Sequence, residues 1–162
     1  DTGVGRYPIE SVEMMGGICE AIEAGSPNVP PLNPVPRTKR GVLSYAARDN
    51  GERLEAKALV AFTQSGDTVR RLARLHTHLP LLAFTPEPPV RSQLALTWGT
   101  ETFLVPRVET TDAMVRQVDQ AMLSIGRYQP GDLVVIVAGS PPATEGSTNL
   151  VRVHRLGEED LG

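Results

Sequence analysis

The stretch ALVAFTQSGDTVRRL, Ala58 to Leu72, decides the fold. Its first five residues, Ala58-Leu59-Val60-Ala61-Phe62, are apolar at every position, as in a short strand buried on both faces. Thr63-Gln64-Ser65-Gly66-Asp67-Thr68 then breaks the run with hydroxyls and a glycine, and Val69 to Leu75 returns to helical spacing. Strand, tight polar turn and helix together form the unit from which parallel sheets are built. The unit repeats downstream. Pro80-Leu81-Leu82-Ala83-Phe84 is a second apolar run, and Pro88-Pro89 opens a helix carrying Val90, Leu94 and Trp98 up to Gly99. Phe103-Leu104-Val105 reads as the third strand. Thr111-Asp112 caps a helix whose broad face holds Met114, Val115, Val118, Met122 and Ile125. After the turn Gln129-Pro130-Gly131-Asp132 comes Leu133-Val134-Val135-Ile136-Val137, the strongest strand signal in the chain.

Thr148 to Arg155 alternates instead, as a strand with one wetter face does, and no helix separates it from the strand before. The expected fold class is therefore α/β: a three-layer sandwich around a five-stranded, mostly parallel sheet. Its last strand is antiparallel and at the edge, and helices cover both faces. Working back toward the N-terminus, Thr38 caps a helix that Asn50-Gly51 is expected to stop. Arg37, Lys39 and Arg40 crowd its start, where the dipole disfavours cations, so a solvated turn or a bound anion both fit. Ser26 to Pro36 contains five prolines and reads as a linker. Before it, Pro8 opens an amphipathic helix from Ile9 to Ala24, interrupted in composition by Gly16-Gly17 and ended by Gly25.

Composition bounds the function. The 162 residues are 40% hydrophobic and 22% charged, enough for one core, with a formal net charge of −3. That balance argues against a general nucleic-acid or anionic-membrane surface, so neither partner is expected and any anion site must be local. No apolar run approaches the roughly 20 residues that span a bilayer. Cys19 is the one cysteine, which excludes an intrachain disulfide framework and fits a reducing, cytoplasmic setting.

Candidate chemistry gathers in two loops. Thr63, Gln64, Ser65, Gly66 and Thr68 sit where a strand-to-helix turn aims backbone amides at the crevice above a sheet, the place where phosphates bind. Asp67 suits the helix dipole but repels a phosphate unless it is turned away. The second loop runs from Gly139 and Ser140 to Gly146, Ser147 and Thr148. If the fourth strand lies on the far side of the first, both loops open at one topological switch point. The same hydroxyls also serve as plain helix caps, and the sequence leaves both roles open. His76-Thr77-His78 lacks carboxylate or thiol partners at ligand spacing, so no metal is expected. No nucleophile elbow and no phosphate loop ending in Gly-Lys is present, so no catalytic residue is assigned. The alternatives are a free-standing phospho-ligand or flavin-binding module, and an oligomerisation domain without an effector.

Gly5-Arg6-Tyr7-Pro8-Ile9-Glu10 resembles the Gly-x-Tyr-Pro-x-Glu segment of the pyruvate kinases, where it leads from the catalytic barrel into a connecting helix. The likeness continues in order through Thr63 to Thr68, Trp98-Gly99, Gly131-Asp132 and Gly146-Ser147-Thr148-Asn149, and its wording around Pro36 to Gly41 is similar to actinobacterial members. It implies four parts: 1–25, the end of the barrel and its connecting helix; 26–37, the linker; 38–156, the regulatory domain; 157–162, a tail. The family transfers phosphoryl from phosphoenolpyruvate to ADP with magnesium and often potassium, all held in the barrel. The resemblance thus implies that this chain is inactive alone and has no cofactor of its own. It also implies that the two loops receive a phosphorylated effector. Gln64, Asp67 and Ile125 stand where responders to fructose 1,6-bisphosphate carry basic residues, which favours a monophosphate such as glucose 6-phosphate or AMP. A tetramer that uses the C-terminal edge strand is implied as well.

Overall fold

The computed structural model describes residues 4–25, 36–142 and 148–158. The chain divides into two units, Asp1–Leu32 and Asn33–Gly162. In the first, α1 (Pro8–Gly25) runs unbroken through Gly16-Gly17, where an added Cβ would meet nothing within 4 Å. The helix does not break there, no described residue packs closely on those glycines, and Ile9, Val12, Met15, Ile18 and Ile22 are all exposed. Cys19 is free and exposed.

The second unit holds a five-stranded sheet in the order β3-β2-β1-β4-β5. Its strands are β1 (Ala58–Phe62), β2 (Leu81–Thr85), β3 (Thr100–Leu104), β4 (Leu133–Gly139) and β5 (Thr148–Arg155). β1 pairs in parallel with both β2 and β4, in register Leu59 to Leu81 and Leu59 to Val135. β3 is parallel to β2, and β5 is antiparallel to β4 with an irregularity at Ala138/Gly139. The α/β class, the mostly parallel sheet and the antiparallel final edge strand are as the sequence predicts. β1 and β2 are buried at every position because helices cover both their faces.

Each face has its own core. Val60, Phe62, Leu82, Phe84, Val134 and Ile136 pack against α5 (Thr111–Ser124) through Met114, Val115, Val118 and Met122. The opposite face carries Leu59, Ala61, Leu81, Ala83, Val135 and Val137. It meets α2 (Lys39–Arg53), α3 (Asp67–Ala73) and α4 (Pro88–Leu94) through Ala47, Val69, Leu72, Ala73 and Leu94.

Several boundaries differ from the sequence reading. α2 does not stop at Asn50-Gly51. Gly51 is buried inside the helix, where a Cβ would lie 2.7 Å from Leu79 Cδ1 and 2.9 Å from Leu59 Cδ2, so glycine there permits close approach to the sheet. The left-handed stop falls to Glu55 (φ 52°), and the amide of Ala56 donates to the Gly51 carbonyl at 2.9 Å in a Schellman closure. α4 ends at Leu94 because the chain leaves it in tight turns, Thr97 N to Leu94 O at 2.9 Å and Thr100 N to Thr97 O at 3.3 Å. Trp98 therefore lies outside the helix. β3 starts at Thr100 rather than Phe103, since an edge strand buries only part of its surface and admits polar residues. The cap of α5 is Thr110, whose Oγ1 accepts from Ala113 N at 3.2 Å, and this leaves Thr111 free for another contact.

Candidate functional site: two loops at a switch point

The strand order places β4 beside β1 on the side away from β2, so the path of the chain reverses between these two parallel neighbours. The segments that follow them leave from the same end of the sheet. This is the crevice in which open α/β sheets hold ligands.

In the first loop the Thr63 hydroxyl is buried and accepts from Gly66 N at 2.9 Å, closing the turn. Gly66 is left-handed (φ 82°), a conformation that L side chains rarely adopt. Its open side is covered, since an added Cβ would lie 3.1 Å from Arg70 Nη1 and 3.2 Å from Leu94 Cδ2. Backbone geometry and packing both require glycine at this position. Ser65 is exposed, and its Oγ receives only a long contact of 3.5 Å from Asp67 N. The Asp67 carboxylate pairs with Arg70 at 3.5 Å and Arg71 at 3.3 Å, which offsets the charge that counted against this loop.

Two bonds lace the loops together. Gln64 Nε2 donates to the Pro142 carbonyl at 2.8 Å. The buried Thr68 and Thr148 hydroxyls lie 2.8 Å apart. Gly139 is opposite Thr148 in the β4–β5 ladder. Ser140 is held from three sides: its amide donates to Asn149 Oδ1 at 2.7 Å, its carbonyl accepts from Asn149 Nδ2 at 2.8 Å, and its hydroxyl meets Thr111 Oγ1 at 2.9 Å. The Ser140–Pro141 peptide is cis. Thr63, Gln64, Gly66, Thr68, Gly139, Ser140 and Thr148 are thus placed in one structured mouth, with Ser65 at its exposed rim. Gly146 and Ser147 lie outside the described residues.

Sequence reasoning missed Asn149 and Thr111. An Asn directly after a Gly/Ser/Thr-rich loop is a usable signal, because its amide mimics backbone pairing. Thr111 gave none, being indistinguishable from its neighbour Thr110 as a cap. Elsewhere, Thr77 donates to Glu52 Oε1 at 2.9 Å and His78 Nδ1 lies 4.0 Å from the same atom. His76 packs on Trp98 instead, with ring centroids 4.5 Å apart. Among the described residues no three His, Cys, Asp or Glu side chains gather as metal ligands, and no helix is long and apolar enough to cross a membrane.

A mostly parallel sheet reversing at β1/β4, with a laced loop pair over the reversal and an antiparallel closing strand, defines a doubly wound α/β module. Comparison with known proteins is consistent throughout. Residues 42–154 match the pyruvate kinase alpha/beta domain, and the chain belongs to that family. It is 68% identical over 161 residues to a pyruvate kinase of Mycobacterium tuberculosis, covering 99% of this chain and 34% of that protein. It is 58% identical over 159 residues to a pyruvate kinase of Corynebacterium efficiens, covering 98% and 33%. The chain therefore spans about a third of the length of these relatives. A crystal structure of a pyruvate kinase from Cryptosporidium parvum shares the fold at TM-score 0.80 and 18% identity, over 94% of this chain.

Proposed function

We propose that this chain is the effector-binding and subunit-assembly domain of a cytoplasmic pyruvate kinase. The complete protein transfers phosphoryl from phosphoenolpyruvate to ADP on a barrel outside these residues. Magnesium and potassium are assigned to that barrel. The phosphorylated effector is assigned to the mouth built from Thr63 to Thr68 and Gly139 to Thr148. One observation carries this reading: Gln64 to Pro142 and Thr68 to Thr148 join the two loops directly over the reversal of the sheet. Pairing of Asp67 with Arg70 and Arg71 removes the main electrostatic objection. A monophosphate, glucose 6-phosphate or AMP, suits the mouth better than fructose 1,6-bisphosphate, since Gln64 is uncharged and Ile125 closes α5 without a cation. The antiparallel β5 has a sheet neighbour on one side only, which favours pairing between copies through that edge.

Calorimetric titration of the chain with these three ligands and inorganic phosphate tests the assignment. Binding of a monophosphate, weakened roughly tenfold by Ser65→Ala, is expected. Absence of heat with all four ligands removes the effector assignment.

A further inference from the structure

We propose that the carboxyl end of β5 is a buckle that opens and closes independently of the rest of the sheet, and that the Asp119 carboxylate fastens it. The β4–β5 ladder ends at the pair Leu133 and Arg155, so Leu156 and Gly157 lie past the last strand partner. Their path is set by two backbone bonds to the turn before β4: Leu156 N donates to Asp132 O at 2.9 Å, and Gly131 N donates to Leu156 O at 2.7 Å. That turn is held in its own right by Asp132, whose Oδ2 accepts from Gln129 N at 2.8 Å. Leu156 is fully buried and joins the core under α5.

One oxygen spans this buried leucine. Asp119 Oδ1, on α5, meets His154 Nε2 at 3.0 Å and accepts from Gly157 N at 2.9 Å. His154 and Gly157 flank Leu156 in the chain, so a single side chain of the helix grips the strand end on both sides of it. Hydrogen bonds to a carboxylate are stronger than those between neutral groups, so the grip is firm for its size. Gly157 is left-handed (φ 77°), and an added Cβ would lie 3.1 Å from Pro130 Cβ. The chain therefore turns there with little room to spare.

The rest of the sheet does not depend on this fastening. β1 and β2 are buried at every position, whereas β5 has a sheet neighbour on one side only and leaves Val153 and Arg155 exposed at this end. Segments with few buried contacts and exposed hydrogen bonds open at lower free energy than a core. Opening uncovers Leu156 and His154 and takes from Leu133 and Val134 their β5 partners, while β1 keeps its pairing with β2. No residue of the buckle belongs to the mouth, so it is independent of the effector assignment.

Amide hydrogen exchange of the chain, read residue by residue, tests the buckle. In Asp119→Ala the amides of residues 154–157 and of Gly131 should exchange about tenfold faster than in the parent, with those of β1 and β2 unchanged. Asp119→Asn keeps an acceptor oxygen of the same size and should recover part of the protection. Gly157→Ala strains the turn from the other side and should release the same set of amides. Acylation by diethyl pyrocarbonate gives a second readout, since His154 is buried while His76 and His78 are exposed and serve as internal standards. The His154 rate should rise about tenfold in Asp119→Ala, relative to the other two. The proposal is overturned if Asp119→Ala leaves residues 154–157 as protected as in the parent, or if His154 stays unreactive. It is overturned as well if exchange rises equally in β1 and β2 or the variant unfolds, because the carboxylate then supports the whole fold and no separate unit exists.

Discussion

The two faces of the sheet reach the same degree of burial by different means. Under α5 the space is filled by large side chains, with Phe84, Met114 and Met122 among the largest that are fully buried. Under α2, α3 and α4 the large buried side chains are leucines, Leu59, Leu72 and Leu94, interleaved with buried Ala47, Ala61, Ala73 and Ala83, and Gly51 brings its helix onto Leu59 and Leu79. Both faces are thus sensitive to loss of volume, and the face under α2 is in addition sensitive to its gain at Gly51. One helix, α5, covers its face with methionines set against phenylalanine, whereas on the other face α2 comes close enough at Gly51 for side-chain ends of Leu59 and Leu79 to reach its backbone.

That contrast can be broken by experiment. Phe84→Ala should open a void on the α5 face and cost about 3–5 kcal/mol in a urea melt. Gly51→Val should overpack the other face and cost about 1–3 kcal/mol, since Leu59 and Leu79 must both give way. A neutral Gly51→Val would show that α2 can back away from the sheet, and a neutral Phe84→Ala that the α5 face can collapse onto the void. The smallest effect belongs to neither core. Arg127 donates to both carboxylate oxygens of Glu101, at 2.9 and 2.7 Å, tying edge strand β3 to the turn after α5. Those hydrogen bonds hold the Glu101 carboxyl below its ordinary value of 4.5. A depressed carboxylate stabilises the fold above its unfolded-state value and loses that contribution as pH falls through the folded one. Glu101→Gln should therefore melt slightly lower than the parent at pH 7, and the gap should shrink as pH falls below 4.5, vanish below the folded-state value, and shrink in high salt, both partners being half exposed.

The central strands were legible because burial on both faces writes itself as an unbroken apolar run. β3 was only half legible, since Thr100-Glu101-Thr102 carries no such run at an edge. The end of α2 misled for a related reason. A glycine permits two things, a left-handed turn and a close approach, and sequence alone favours the commoner one; here Gly51 serves the second and Glu55 takes the turn. The candidate mouth was legible as two loops. The partners that hold it, Thr68 with Thr148 and Ser140 with Asn149, were not, because they depend on the strand order. Trp98 was read as part of a helix and lies beyond its end, because the chain turns away at Leu94.

The lacing of the mouth also has a schedule. Thr68 and Thr148 are separated by 80 positions, and Gln64 and Pro142 by 78. At the roughly 5–20 residues per second of protein synthesis, the first loop waits ~4–16 s for its partner to be made. In that interval β2, β3 and β4 are made in turn, and β5 comes last. A nascent chain stalled just before Thr148 would hold the parallel strands but lack the Thr68–Thr148 bond, so the mouth is fully laced only once β5 has been made.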